Sequence, residues 1–260
     1  MTKKKTAIVT GSTSGIGLAI AQTLAESGCN ILLNGFGEKS KIEAIAEGIR
    51  SDFGVDVLYS NADMSIPDEI LAMVHECSTH FSSVDILVNN AGIQHTDSIE
   101  DFPKERWDQI IAINLSSNFH TIQAALPIMK TQNSGRIVNI SSVHGQVASI
   151  NKAAYVAAKH GVLGLTKVVA LETADTPITC NAICPGWVRT PLAQKQIDAL
   201  AEQEDIPEAE AISRMLGEKQ PSKTFVTTKQ IGQAVMYLCS DAASEIRGST
   251  IDINGGWLAQ

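Results

Sequence analysis

Short, uniformly apolar runs alternate along the chain with longer stretches in which apolar residues recur every three to four positions. The runs cover residues 6–9, 30–34, 56–61, 85–88, 136–140, 178–183 and 250–253. Apolar runs this short, with no in/out alternation, predict strands buried on both faces, as in a parallel sheet. Helical periodicity fills the intervals, at residues 16–27, 39–52, 67–82, 104–130, 153–174 and 229–240. Regular strand–helix alternation predicts a doubly wound α/β fold with a seven-stranded parallel sheet and helices on both faces. No linker or shift in composition interrupts it, so residues 1–260 are expected to form a single domain. One stretch breaks the rhythm: residues 191–224 are polar, rich in Ala and Glu, and helical in pattern. In a sheet of this kind the ligand crevice lies beyond the carboxyl ends of the strands. An insertion just after Thr190 is therefore expected to be a small helical substrate lid.

The first strand runs into Thr10-Gly11-Ser12-Thr13-Ser14-Gly15-Ile16-Gly17, and a helical pattern opens at Ile16. Strand, glycine turn and helix in this order form the context in which a glycine-rich loop predicts a dinucleotide site. Gly11 suits the tight turn, Gly15 the approach of backbone to a pyrophosphate, and Gly17 close packing of helix on strand. Free N–H groups at the helix start would face the phosphates.

A second pattern lies at Tyr155-Val156-Ala157-Ala158-Lys159. Four-residue spacing places the phenol and the ammonium on one helix face. A phenol ionises near pH 10, and a fixed positive charge beside it favours the phenolate. Such a pair can take a proton from an alcohol or return one to a ketone. Alone, Tyr-x-x-x-Lys also describes an ordinary solvated helix face. Ser142, at the end of the fifth strand, adds the hydroxyl that would hold a substrate oxygen.

Together these residues resemble the short-chain dehydrogenase/reductase family, and the resemblance covers essentially the whole chain. Thr10 to Gly17 resembles that family's cofactor loop, Asn89-Asn90-Ala91-Gly92 its element after the fourth strand, and Gly248 to Gly256 its C-terminal strand and Gly-Gly turn. The resemblance implies a Rossmann-like fold, with Asn114, Ser142, Tyr155 and Lys159 as the catalytic four. Tyr155 would be the acid–base, Lys159 would lower its pKa and bond the nicotinamide ribose, and Asn114 would position a proton-relay water. Asn114 also reads as a residue that merely caps or kinks a helix. Cofactor contacts are implied for Gly11, Thr13, Ser14, Gly15, Ile16, Gly17, Phe36, Asp63, Met64, Asn90, Ala91 and Gly92. At the nicotinamide end, Pro185, Gly186, Val188 and Thr190 would join Tyr155 and Lys159. Asp63 has a second reading, as an acid near the start of the third long helix.

Charge and cysteine content narrow the class. A net charge of −8 opposes a nucleic-acid or anionic-membrane partner. Lys3, Lys4 and Lys5 precede an apolar stretch only one strand long, so no leader peptide is expected. No run is expected to reach a membrane span. Five cysteines, an odd number without Cys-x-x-Cys, suit reduced thiols in a cytoplasmic protein. Six histidines in no His-Glu-x-x-His pattern give no expectation of a catalytic metal.

The second strand ends Asn34-Gly35-Phe36-Gly37. It lacks the acid that commonly holds the NAD ribose, and it also lacks the cation that a 2′-phosphate needs. Phe36 would occupy phosphate space, so NAD is expected, although Lys39 and Lys41 lie near enough to reach a phosphate. Around Ser142 and Tyr155 stand His144, Lys152 and Gln94, with Gln194 and Gln196 opening the lid. These are donors suited to a small carboxylate, and Gln196 is preferred over Gln194. Trp187 and Trp257 would wall a short alkyl end. The expected substrate is thus a small hydroxy acid/keto acid pair. Within the family, the resemblance points to members that interconvert (R)-3-hydroxybutyrate and acetoacetate as homotetramers. The alternative is a 3-ketoacyl-thioester or sugar reductase of the same family.

Overall fold

The computed structural model describes residues 4–217 and 219–259, with the side chain of residue 192 not described. Lys3, grouped above with Lys4 and Lys5, lies outside the described residues. The strands are β1 (Thr6–Val9), β2 (Asn30–Asn34), β3 (Val57–Ser60), β4 (Ile86–Asn89), β5 (Gly135–Ile140), β6 (Ile178–Pro185) and β7 (Thr250–Ile253). They form one parallel sheet in the order β3-β2-β1-β4-β5-β6-β7. The order reverses between β1 and β4, the switch point where a ligand crevice opens in such sheets.

Helices α1 (Gly15–Glu26), α2 (Lys39–Phe53) and α9 (Thr228–Leu238) cover one face, and α3 (Pro67–Phe81), α5 (Ser117–Gln132) and α6 (Ala153–Glu172) the other. Successive strand residues feed opposite cores because side chains alternate across a strand. Ala7, Val9, Ile31, Leu33, Ile86 and Val88 pack with Ile20, Leu24, Ile231 and Val235. Ile8, Leu32, Leu87 and Ile137 pack with Ile70, Met73, Ala125 and Met129. Two cores on one sheet explain why the strands read as unbroken apolar runs. Between α9's cap and first turn, Thr227 and Gln230 form a capping box.

The periodicity expected over 104–130 divides in the structure. Helix α4 (Lys104–Ile111) passes into a π-helical turn, Ala112–Ser116, before α5 begins. Such turns insert one residue per turn and commonly mark functional sites. Asn114 sits in it, fully buried. The insertion region folds as α7 (Pro191–Glu204) and α8 (Glu208–Gly217), packed on each other.

Helix α6 corrects one expectation. By length and composition it is apolar enough to cross a membrane. Its inner face, including Ala158, Val162, Val169 and Ala170, is instead buried within the domain. A helix that packs on a central sheet on one side and stays apolar on the other passes the same test.

Candidate active site

A cleft of about 410 Å³ runs across the carboxyl ends of β1, β2, β4, β5 and β6. One end is built from backbone. Gly11 adopts φ +63°, and a Cβ there would lie 2.9 Å from the Ala91 Cα. A Cβ on Gly17 would lie 2.3 Å from the Gly11 oxygen and 2.5 Å from Asn90 Nδ2. Gly17 is thus required by the turn itself and by the neighbouring asparagine, not by the strand beneath. Asn90 Nδ2 donates to the carbonyls of Thr10 and Gly11, at 3.0 and 3.1 Å. The Thr10 hydroxyl accepts from the backbone N–H groups of both Asn90 and Ala91, each at 3.0 Å. These bonds lock the Asn-Asn-Ala-Gly turn to the glycine loop.

Asn34 performs a similar service from β2 and was not among the expected site residues. Its Oδ1 accepts from Gly11 N at 3.2 Å, and its Nδ2 donates to Ser60 O and Ala62 O. A fully buried amide closing an apolar strand was the available signal, because a buried polar group must be hydrogen-bonded.

The start of α1 has a free donor set. Ser14 is its N-cap, yet makes no side-chain cap bond. Those N–H groups face the cleft through Ser14, Gly15 and Ile16, where a pyrophosphate would satisfy them. A Cβ on Gly15 would meet nothing closer than Thr190 at 3.7 Å, leaving an open cradle. The residues present therefore fit a dinucleotide. Beyond the loop, Phe36, Asp63 and Met64 line the cleft, and Phe36 is 65% exposed. Asp63 faces the cleft, and its Oδ1 accepts from the N–H and hydroxyl of Ser65. The N-cap of α3 is Ile66.

No cation lines this end of the cleft among the described residues. Lys41 is paired with Glu38 at 3.1 Å on the surface.

The other end is made of side chains. Lys152 is the N-cap of α6, and Tyr155 and Lys159 follow at three and seven residues, which puts all three on one helix face. Lys159 is buried, donates to the Ile140 carbonyl at 2.8 Å, and lies 5.6 Å from the Tyr155 ring centroid. Burial pushes its ammonium down to about 8. The phenol of Tyr155 is raised by burial, with the Ser142 hydroxyl pulling the other way. In this geometry desolvation outweighs the lowering expected from Lys159.

Ser142 caps a short 3₁₀ turn, Val143–Gly145, its oxygen accepting from His144 N at 3.2 Å. Gly145 lets that turn tuck against α6, for a Cβ there would lie 2.9 Å from the Lys159 carbonyl oxygen. His144 approaches Ser142 Oγ with Nδ1 at 3.5 Å and Ser149 Oγ with Nε2 at 2.9 Å. Burial first, then Lys152, pushes its pKa down to about 4, so it is neutral near pH 7 and offers a hydrogen bond without charge. Burial, with Lys219 nearby, brings Lys152 down to about 8. Its Nζ lies 5.3 Å from the Trp187 ring centroid. Trp187 and Trp257 are tilted against each other at 6.3 Å.

Gln94 and Gln196 reach this end of the cleft, and Gln194 does not. Gln194 is held outside by Arg189, Asp198 and Glu208. Pro185, Gly186, Val188 and Thr190 line the middle, and the Thr190 hydroxyl also caps α7, accepting from Ala193 N at 3.2 Å. Gln220, at the far end of the α7–α8 insertion, is fully buried. Its Oε1 accepts from Trp187 N at 2.9 Å, and its Nε2 donates to Thr224 O.

Asn114 is set back from the cleft. Its side chain is committed to Ile93, donating to the Ile93 carbonyl and accepting from the Ile93 N–H, each at 2.9 Å. The residue therefore clamps the loop after β4, and its backbone carbonyl receives Asn118 Nδ2 at 3.1 Å. Among the described residues no group of three His, Cys, Asp or Glu could hold a metal ion.

Comparison with known proteins identifies the family. Residues 5–201 match the family model described as short chain dehydrogenase. The chain is 55% identical over 260 residues to D-beta-hydroxybutyrate dehydrogenase of Cupriavidus necator, with both chains covered in full. It is 52% identical over 256 residues to the protein of the same name from Rhizobium meliloti, covering 98% of this chain and 99% of the relative. An actinorhodin polyketide ketoreductase variant solved with NADPH superposes with a TM-score of 0.91 at 32% identity, covering 98% of this chain and 97% of the other. The chain is an oxidoreductase belonging to the short-chain dehydrogenase family, whose members use a nicotinamide cofactor.

Proposed function

We propose that this protein interconverts (R)-3-hydroxybutyrate and acetoacetate with NAD as the hydride acceptor. The observation that carries this reading is the gathering of Lys152, His144, Gln94 and Gln196 around the Ser142–Tyr155 pair. An ammonium, an imidazole and two amides suit a free carboxylate one short chain away from the reacting carbon. A 3-ketoacyl thioester or a sugar offers Lys152 no such anion, which disfavours the reductase alternative. The full-length relatives named D-beta-hydroxybutyrate dehydrogenase support the same substrate.

When bound, the nicotinamide accepts the hydride. The chain's own residues do the rest. Lys152 and the amides hold the carboxylate, and Trp187 and Trp257 wall the alkyl end. Ser142 Oγ bonds the substrate oxygen. Tyr155 takes the hydroxyl proton during oxidation and returns it during reduction. Lys159 bonds the ribose and makes the phenolate less costly to form. The clamp that Asn114 places on Ile93 keeps the loop after β4 in position, and its backbone carbonyl, beside the bond from Asn118, can hold a relay water. NAD is preferred over NADP because the adenosine end carries Phe36 and Asp63 and no cation to meet a 2′-phosphate.

The α7–α8 insertion serves as the substrate lid. The protein works in the cytoplasm as a homotetramer. Exposed Phe119, Val168 and Leu171 on the outer faces of α5 and α6 suit one interface, and the C-terminal strand forms another. The deciding assay measures NADH formation across short 3-hydroxy acids of both hands, with NADP as control. The reading requires (R)-3-hydroxybutyrate to be the best substrate and NAD to exceed NADP by at least about tenfold in kcat/KM, roughly 1.4 kcal/mol. A better rate with a thioester or a sugar would reverse it.

A further inference from the structure

A second cavity of about 260 Å³ adjoins the substrate end of the cleft and shares His144, Lys152, Trp187 and Trp257 with it. Its far wall comes from the insertion: Leu200, Glu204, Arg214, Met215 and Lys219. The polar groups facing it are unbalanced. Arg214 is already neutralised by Glu204 and Glu210. That pairing also occupies Glu204, the sole carboxylate of the lining. Lys152 and Lys219 form no ion pair with any described carboxylate, and Lys219 stands close enough to disfavour the charge on Lys152. The indole Nε1 of Trp187 is buried without an acceptor. Two ammonium groups without an ion pair among the described residues, and an orphan donor, around one enclosed space constitute a site for an acceptor that carries negative charge.

We propose that this rear chamber is an anion subsite, centred on Lys219, that takes the distal carboxylate of a short dicarboxylic acid whose near carboxylate rests on Lys152. Lys152 stands in the shared wall and can serve both groups. The proposal rests on the carboxylate reading of the front chamber for the near group, but Lys219 belongs to the rear chamber alone. The enzyme would accordingly be held by dicarboxylates more tightly than by monocarboxylates of equal length, and such acids would restrain turnover by competing with substrate.

The test compares butyrate with succinate and glutarate, by calorimetry on the NADH-bound protein and by inhibition of turnover, in the parent and in Lys219→Ala and Lys219→Arg. At least one dicarboxylate should bind the parent more tightly than butyrate. Lys219→Ala should weaken that dicarboxylate by at least about tenfold, the size of a lost charge-assisted bond. Butyrate should lose less than about threefold, and Lys219→Arg should restore most of the difference. Equal losses for both acid classes would mean that Lys219 acts only as diffuse charge, and would overturn the subsite. Retained dicarboxylate affinity in Lys219→Ala would overturn it as well. Succinate binding that depends on Lys219, with no butyrate binding, would uphold the rear chamber while removing the front-chamber reading. Failure of all three acids to bind the parent would remove both.

Discussion

The two ends of the cleft are built from different materials. At the glycine loop the walls are backbone, fixed by amides that reach across from neighbouring strands: Asn90 onto Thr10 and Gly11, Asn34 onto Gly11, Ser60 and Ala62. At the Ser142 end the walls are side chains from six separated segments, two of these side chains charged and desolvated. A backbone cradle recognises what all dinucleotides share. A cluster of desolvated side chains can be retuned one residue at a time, and it carries the proposed proton chemistry. Substitutions at the two ends should therefore fail in different ways.

The largest effect is expected at the proton-transfer group. Tyr155→Phe should reduce kcat by roughly 10²–10⁴-fold or more while NADH affinity and thermal stability stay near those of the parent. Fluorescence titration with NADH beside steady-state kinetics checks both halves of that statement, and near-normal turnover would remove Tyr155 from the mechanism.

Lys152→Ala comes next, with a rise in KM for the hydroxy acid equivalent to about 1.5–3 kcal/mol and little change in NAD binding. The methyl ester of the substrate should suffer far less from the same change, having no charge to lose. Equal sensitivity of ester and acid would show that Lys152 does not hold a carboxylate.

Gly17→Ala should do the reverse. Its Cβ would meet a backbone oxygen and the Asn90 amide, neither of which can step aside without opening the staple between the two loops. Overpacking of this kind costs about 1–3 kcal/mol, and it should appear as weakened NADH binding and a lowered melting temperature. KM for the hydroxy acid at saturating NAD should hardly move.

The smallest effect is a pH dependence. Lys152 is pushed down to about 8 by burial and by Lys219. Its charge, and with it carboxylate binding, should be lost as pH rises through that value, so KM for the hydroxy acid should climb by several-fold between about pH 7 and 9. Lys152→Arg stays charged over this range and should flatten the climb. The sign for folding is opposite. A lysine with a depressed native pKa binds fewer protons folded than unfolded between about 8 and 10.5. Its penalty is thus fully present below 8 and relieved as pH rises to 10.5.

The same contrast governs what could be read from sequence. The sheet was legible because its central strands had to be apolar on both faces, and the glycine loop because only glycine permits its turns and contacts. The helical face bearing Tyr155 and Lys159 followed from their four-residue spacing; that Lys152 caps the same helix did not. The π turn at Ala112–Ser116 was hidden because a one-residue insertion barely disturbs helical periodicity. The state of the site's titratable groups was hidden too. Lys159 beside Tyr155 predicts a lowered phenol pKa, yet the cost of burying both depends on what surrounds them, and no spacing reports that. Gln194 and Gln196 both open the lid, and the preference for Gln196 is met in the lining of the cleft. Two residues on a helix differ by about 200° in direction, so one can enter the cleft only if the other leaves it.

The insertion that roofs the substrate end is pinned at both of its roots. Val226 N donates to the Trp187 carbonyl at 2.9 Å and Val188 pairs with Val226, which joins entry to exit, and Gln220 ties the exit to Trp187 and Thr224. A segment hinged at two points close together can tip like a trapdoor but cannot drift away from its frame. In its proposed role as lid, each closure would therefore return Gln196, Met215 and Lys219 to the same positions, and the chamber would be recut to one shape in every cycle.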